Sequence, residues 1–160
     1  MRDVIHGGLG VVAAFIVYTV LSQISVSLLI CINVFTMMVI LFALIKGETA
    51  GAIMGMACGL VIDSFSLGIF GLSGIANTVT GFTAGYVSRK LNVLPPGRLF
   101  VFIGLMGALD LGLWMLMASV FFAEGFPWGG AFLLAQPLFT AVLGTLVFWL
   151  YRRIRVRNEG

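Results

Sequence analysis

Glycine recurs at every fourth position of one apolar stretch, at Gly47, Gly51, Gly55 and Gly59, and the next step of four is Asp63. Residues four apart lie on one face of an α-helix, so this stretch presents a face without side chains that ends in a carboxylate. In water such a helix would be weak, because each glycine costs about 1 kcal/mol relative to alanine. In a bilayer the backbone hydrogen bonds have no competitor, and small residues let a neighbouring helix approach closely. We therefore interpret this stretch as the packing face of a membrane-embedded helix.

The composition of the chain supports a membrane location. Of 160 residues, 61% are hydrophobic and 9% are charged, whereas a soluble domain typically has about 25% charged residues. There are too few polar residues to cover a water-soluble globule, and the length allows about six spans of about 20 residues each. We predict an all-α integral membrane protein in which residues 1–160 form a single transmembrane domain.

Polar and glycine-rich turns divide the chain into six apolar segments. The predicted transmembrane helices cover about residues 9–21, 28–45, 49–63, 72–87, 99–122 and 130–151. If the N-terminus is cytoplasmic, all nine Lys and Arg residues fall in the inner segments and none in the outer loops, which agrees with the positive-inside rule. We therefore expect a six-helix bundle with both termini in the cytoplasm of a bacterial cell. The residues that anchor this topology include Arg89, Lys90, Arg98, Arg152 and Arg153. The basic tail is expected to have a minor additional role in binding anionic membrane lipids or a cytoplasmic partner.

The fourth predicted helix repeats the small-residue device with Gly81 and Gly85, which continue the face of Asn77. Several glycine-rich faces in one short chain indicate closely packed helices, and a spacing of four favours a right-handed crossing with one neighbour. That neighbour is either the fourth helix or a helix of another protein. Both glycine sets are therefore candidates for helix packing or for partner binding.

Four polar residues lie inside the predicted helices: Asp63, Asn77, Asp110 and Gln136. At about 1.5 Å per residue, Asp63 is about 24 Å from Gly47 and thus near the outer membrane surface. There it caps the amides that open the fourth helix, or it binds a ligand or a partner.

Asp110 is the more deeply buried acid, about 18 Å along the fifth helix from Arg98. Asn77 lies at a similar depth, and Gln136 lies in the outer half. An ionised group near the membrane midplane is costly, so we expect Asp110 to be protonated or to accept hydrogen bonds from neighbours such as Asn77. Its role is either functional or plain interhelical hydrogen bonding.

Several classes of function have no support in the sequence. The chain has one histidine, no HExxH or Walker motif, no Ser/His pair and no paired carboxylates on one helix turn, so hydrolytic and metal chemistry lack their usual residues. Its basic residues lie at the ends of the predicted helices and form no patch for nucleic acid. We predict a protein without enzymatic activity, metal or cofactor.

Residues 42–91 resemble the MreD family of rod shape-determining membrane proteins. The family pattern is a basic-glycine turn, a small-residue helix ending in polar residues, a glycine-leucine turn, and a helix with a glycine-rich end before a basic cluster. The matching residues are Lys46-Gly47, the four-spaced glycines, Leu60-Val61-Ile62-Asp63-Ser64, Leu67-Gly68 to Gly71-Leu72, Gly81 to Tyr86, and Arg89-Lys90-Leu91. The Pro-Asp that often opens the second helix of the family is replaced by Asn33-Val34-Phe35, and the carboxyl half matches only in hydropathy.

The resemblance implies a non-enzymatic subunit of the bacterial cell-elongation complex in the inner membrane. Such a subunit binds the single-span protein MreC, and through it couples cytoplasmic MreB filaments to the peptidoglycan synthase RodA and its penicillin-binding transpeptidase. The resemblance also implies a fold similar to the substrate-binding subunits of energy-coupling-factor vitamin transporters.

That fold similarity provides an alternative function, a membrane vitamin-binding subunit that docks an ATPase assembly. A vitamin binder needs an outward pocket with convergent polar and aromatic groups. The candidates for such a pocket are Asp63, Asn77, Asp110, Trp114, Glu124, Trp128 and Gln136. A scaffold needs closely packed helix faces, which the glycine residues supply.

Overall fold

The computed structural model describes residues 33–65, 70–93, 95–121 and 130–158, together with residues 12, 15, 16 and 19, and in the last helix it describes the side chains of residues 135–153. Five α-helices form the described ranges. They are α1 (Val34–Lys46), α2 (Glu48–Phe65), α3 (Leu72–Lys90), α4 (Pro96–Phe121) and α5 (Gly130–Asn158). Residues 12, 15, 16 and 19 are also helical, and the Phe15 ring packs 5.7 Å from the Phe65 ring.

The predicted six-helix transmembrane bundle is wrong. Among the described residues there are five helices, and two of them, α2 and α4, are long and apolar enough to cross a membrane. The helix predicted over about 28–45 begins only at Val34, and its 13 residues reach about 20 Å, short of an apolar core of about 30 Å. The helix predicted over about 72–87 covers Leu72–Lys90 and has too many hydroxyl and amide side chains to qualify. Most of the helix predicted over about 9–21 lies outside the described residues.

Local sequence signals fix the ends of α1 and the turn that follows it. The Asn33 side chain accepts a hydrogen bond from the Thr36 amide at 3.1 Å and caps the start of α1, a role that asparagine fills well. Gly47 ends α1 with φ of +94°, a left-handed conformation that favours glycine. A single residue therefore separates α1 from α2, and the chain reverses direction there.

The helices alternate in direction, so one end of the molecule collects the basic residues. We call this the basic end, where Lys46 ends α1, Arg89 and Lys90 end α3, Arg98 lies in the first turn of α4 and Arg152 lies near the end of α5. The opposite end, called here the acidic end, holds Asp63 and the turn into α3.

The core lies on both sides of α1. Ile40, Ala43 and Val39 of this helix are completely buried. One apolar cluster joins α1 to α4 and α5 through Ile103 and Ala141, and a second joins α1 to α2 through Cys58 and other residues. The short helix α1 is therefore the element around which the other four pack.

Candidate functional site

The glycine face of α2 packs against the backbone of α3, and we call this contact the glycine interface. A side chain added at Gly51 would lie 3.0 Å from the carbonyl carbon of Gly81, and one added at Gly59 would lie 2.6 Å from the amide nitrogen of Gly74. At Gly55 the nearest atoms belong to the Asn77 carbonyl. The neighbour of the glycine stripe, which the sequence leaves open, is therefore the next helix of the same chain.

The basic end of this hairpin is equally close. At Gly47 an added side chain would collide with the Arg89 guanidinium, and at Gly85 it would collide with the backbone of Glu48. Arg89 also forms a 2.7 Å ion pair with Glu48, so a residue expected to anchor topology also joins α3 to α2. The neighbouring Lys90 lies 4.4 Å from the centre of the Tyr86 ring.

Asp63 caps α3 at the acidic end. Its carboxylate accepts hydrogen bonds from the amides of Gly71 at 2.9 Å, Ser73 at 3.1 Å and Gly74 at 3.1 Å. These are amides that a helix start leaves without an intrahelical partner, and a carboxylate is favourable at the positive end of the helix dipole. Gly71 turns the chain into position with φ of +99°. Because the carboxylate is 6% exposed and fully engaged, capping is the role that its geometry favours over ligand binding.

Asp110 lies at the centre of a buried polar group that joins α1, α3 and α4. Its two carboxyl oxygens contact the hydroxyls of Thr36 at 2.8 Å and Thr80 at 3.3 Å. The Thr36 hydroxyl also lies 3.1 Å from the amide oxygen of Asn77. These four side chains, Asp110, Thr36, Asn77 and Thr80, are called here the Asp110 cluster. Asn77 does not bond Asp110 directly, as the sequence suggests, but reaches it through Thr36.

Counting protons indicates the state of the Asp110 carboxyl. The Asn77 side-chain nitrogen donates to the Ser73 carbonyl at 3.2 Å, which turns the amide oxygen towards Thr36. A hydroxyl has one proton to donate, so Thr36 cannot donate to both Asn77 and Asp110. An amide oxygen carries no proton, whereas a carboxyl group can. All contacts are hydrogen bonds when neutral Asp110 donates to Thr36 and Thr36 donates to Asn77.

The Asp110 cluster borders a cavity of about 210 Å³, which we call the polar cavity. Its lining includes the polar residues Asn33, Ser73, Asn77, Asp110 and Gln136, and one aromatic residue, Trp114. Of the seven pocket residues considered from the sequence, four therefore lie around one cavity. Asp63 is used in the cap of α3, and Glu124 and Trp128 lie outside the described residues. The polar cavity offers hydrogen-bond donors and acceptors beside an indole ring, which is suited to a small polar molecule.

The remaining basic residues lie at the basic end. Arg98 is within 3.5 Å of the Asn92 carbonyl. The Arg153 guanidinium lies 5.1 Å from the centre of the Trp149 ring, and Arg152 borders a separate cavity with it. Among the described residues, no three of His, Cys, Asp and Glu are close enough together to hold a metal ion.

Sequence reasoning did not single out Thr36 and Thr80 of the Asp110 cluster. Buried threonines in helices commonly bond the carbonyl four residues earlier, as Thr78, Thr83 and Thr145 do here, so a threonine in an apolar helix carries little information by itself. The one usable signal is the spacing of three between Asn77 and Thr80, which places both on one face of α3.

Comparisons with known proteins leave the chain without an assigned relative. No protein-family model matches it, and neither the curated proteins nor the solved structures include a significant match. The resemblance to the MreD family therefore depends on the residues of α2 and α3 alone.

Proposed function

We propose that the chain is a non-enzymatic scaffold subunit of the bacterial cell-elongation complex, a multi-pass protein of the inner membrane. In this role it binds an MreC-like single-span protein. Through that protein it couples MreB filaments to peptidoglycan synthesis by RodA and a penicillin-binding transpeptidase. Two helices that are long and apolar enough to cross a membrane support the location.

One observation supports a scaffold above all: the residues of the MreD-like segment hold a helical hairpin together. The glycines of α2 allow backbone contact with α3, and Asp63 caps the amides of α3. Arg89 pairs with Glu48 across the other end of the hairpin. A sequence pattern spent on one rigid hairpin suits a protein that presents a fixed surface to partners. An enzyme would need some of these side chains directed at a substrate.

The partner-binding surface follows from which faces remain. The glycine interface is internal, so a partner helix must use the outer face of the hairpin. On α3 that face carries Ile75, Val79, Phe82 and Tyr86, which are exposed and lie at helical spacing along one side. Phe82 and Tyr86 stack with ring centres 6.3 Å apart. We therefore place the MreC-like helix against α3.

Site-specific photocrosslinking in the source cells tests this proposal. A photoreactive amino acid at Val79 or Phe82 is expected to capture a single-span membrane protein, whereas the same probe at Val101 or Leu105 of α4, which are also exposed, is the matched control. Depletion of the chain is expected to convert rods to round cells. Normal shape after depletion, together with no single-span protein captured at either helix, would rule out the scaffold role.

A second candidate function, vitamin binding for an ATPase-driven transporter, is favoured by the polar cavity. Its volume of about 210 Å³ is below the range of about 300–1,000 Å³ that is usual for drug-sized ligands. Mass spectrometry of the protein purified in mild detergent separates the two functions. A retained vitamin, or a co-purifying ATPase with its membrane coupling subunit, would favour transport over the scaffold.

A further inference from the structure

A cavity of about 430 Å³ opens at the basic end between α4 and α5, and the proposed scaffold role gives it no use. We call it the basic cavity. Leu99 of α4 and Phe148 of α5 are buried in its wall, and Arg152 and Arg153 are its exposed lining residues. The cavity therefore combines an apolar wall with two positive charges.

The polar chemistry of the basic cavity suits a phosphate group. A guanidinium is planar, carries five N–H donors and binds phosphate oxygens in pairs. Arg153 lies over the Trp149 ring at 5.1 Å, a contact that orients the guanidinium plane. None of the described residues that line the cavity is acidic, so the lining supplies no competing carboxylate. The cavity also borders Pro96, where α4 begins, and the positive end of the helix dipole adds to the field.

The apolar chemistry of the same cavity suits a lipid. Trp149 and Tyr151 are half exposed at this level of α5, as is typical of aromatic residues at a membrane surface. Leu146 and Leu150 continue the exposed apolar face of the helix. Free phosphate would satisfy the arginines and leave the apolar wall uncovered, whereas a phospholipid covers both.

We propose that the basic cavity binds the headgroup phosphate of an anionic phospholipid through Arg152 and Arg153, with the acyl chains along Leu146 and Leu150. Basic pockets between helices at the cytoplasmic surface bind anionic headgroups in other membrane proteins. This site needs only that α4 and α5 lie in a membrane, so its failure and the failure of the scaffold role are separate results.

Native mass spectrometry of the full chain in detergent, titrated with defined lipids, tests the site. Phosphatidylglycerol is expected to bind more tightly than phosphatidylcholine. Each arginine contributes about fivefold near a membrane surface, so the double variant Arg152→Gln/Arg153→Gln is expected to lose about 30-fold in phosphatidylglycerol affinity. The charge-matched control, Lys46→Gln/Lys90→Gln, removes two charges from the same end without touching the lining of the basic cavity and is expected to change affinity less than about threefold.

Three outcomes would overturn the proposal. Equal losses in both double variants would mean diffuse attraction to the whole basic end. Equal affinity of the unmodified chain for phosphatidylglycerol and phosphatidylcholine would mean that the headgroup charge is not recognised. Displacement of the lipid by inorganic phosphate at millimolar concentration would mean a site for free anions. Thermal unfolding of each variant is measured alongside, and an unchanged midpoint shows that the lost affinity is local.

Discussion

Replacing Gly55 with alanine tests the glycine interface at its tightest point. The new methyl carbon would lie 2.6 Å from the carbonyl carbon of Asn77 and 2.9 Å from the amide nitrogen of Thr78, and closer still to the Asn77 carbonyl oxygen. All three are backbone atoms of α3, which cannot rotate away as a flexible side chain would. The substitution therefore forces α2 and α3 apart.

The size of the effect follows from this distance. Carbon atoms pack best at about 3.5 Å or more, so the helices must separate by at least about 0.9 Å at Gly55. A gap of 0.5–1 Å forfeits about a quarter to a half of each contact energy that it affects, and the contacts at Gly51 and Gly59 lie on the same face. Overpacking of this kind costs about 1–3 kcal/mol. We expect Gly55→Ala to destabilise the protein by about 2–3 kcal/mol.

Gly112→Ala is the matched control, because a methyl group at Gly112 of α4 meets nothing within 4 Å. There the only expected effect is the better helix propensity of alanine, worth up to about 1 kcal/mol of stabilisation. Unfolding of both variants is followed by circular dichroism as a denaturing detergent is titrated into mixed micelles. Stabilities of the two variants that agree within about 0.5 kcal/mol would refute backbone contact between α2 and α3 at Gly55.

Three further predictions concern the polar contacts. Asp63→Ala is expected to cost about 2–4 kcal/mol, since hydrogen bonds to charged groups contribute about 1.5–3 kcal/mol each and are not additive; hydrogen exchange at the amides of the α3 start should speed up, and unchanged exchange would contradict the cap. Asp110→Asn is expected to stay within about 1 kcal/mol of the parent and Asp110→Ala to cost about 1–3 kcal/mol, because an asparagine amide can donate to Thr36 as a neutral acid does; equal losses in detergent unfolding would argue against the protonated cluster. Glu48→Gln should cost less than about 1 kcal/mol, since its partner Arg89 is largely exposed; a larger loss in the same assay would mean that the ion pair is more than a surface contact.

The hairpin of α2 and α3 was accessible to sequence reasoning because its signals are local and periodic. A spacing of four on a helix defines a face whatever the rest of the chain does, and an acid at the end of the stripe is close to the start of the next helix. The identity of the neighbour was not accessible, because a glycine face accepts any close-packing helix equally well.

The number of membrane-spanning helices was mispredicted because hydropathy reports composition rather than helix limits. Asn33 caps α1 and shortens it to 13 residues, although the apolar pattern runs on before it. In α3 the hydroxyl and amide side chains lower the apolar content of a helix whose glycine and polar faces are buried by neighbours. Both helices are held by contacts that a count of apolar residues does not include.

The Asp110 cluster illustrates what a single sequence leaves out. The similar depth of Asn77 and Asp110 follows from the fixed helix rise, and both residues do reach one polar group. Thr36 links them only because α1 lies between α3 and α4 at that level, and the register between helices is not written in any one of them. The link itself is therefore a tertiary feature.

The two kinds of contact divide the molecule by what they tolerate. Along the glycine interface, backbone meets backbone at every fourth residue from Gly51 to Gly59, so α2 and α3 cannot slide without collision. On α4, by contrast, added methyl groups at Gly104 and Gly107 would meet α5 at ordinary distances of 3.5–3.6 Å. The polar tie from α4 to α1 and α3 is the Asp110 cluster, whose hydrogen bonds depend on one proton. Loss of that proton would leave Asn77 without its donor while the hairpin stays intact. A change in the position of α4 and α5 relative to the hairpin is therefore most easily produced at Asp110.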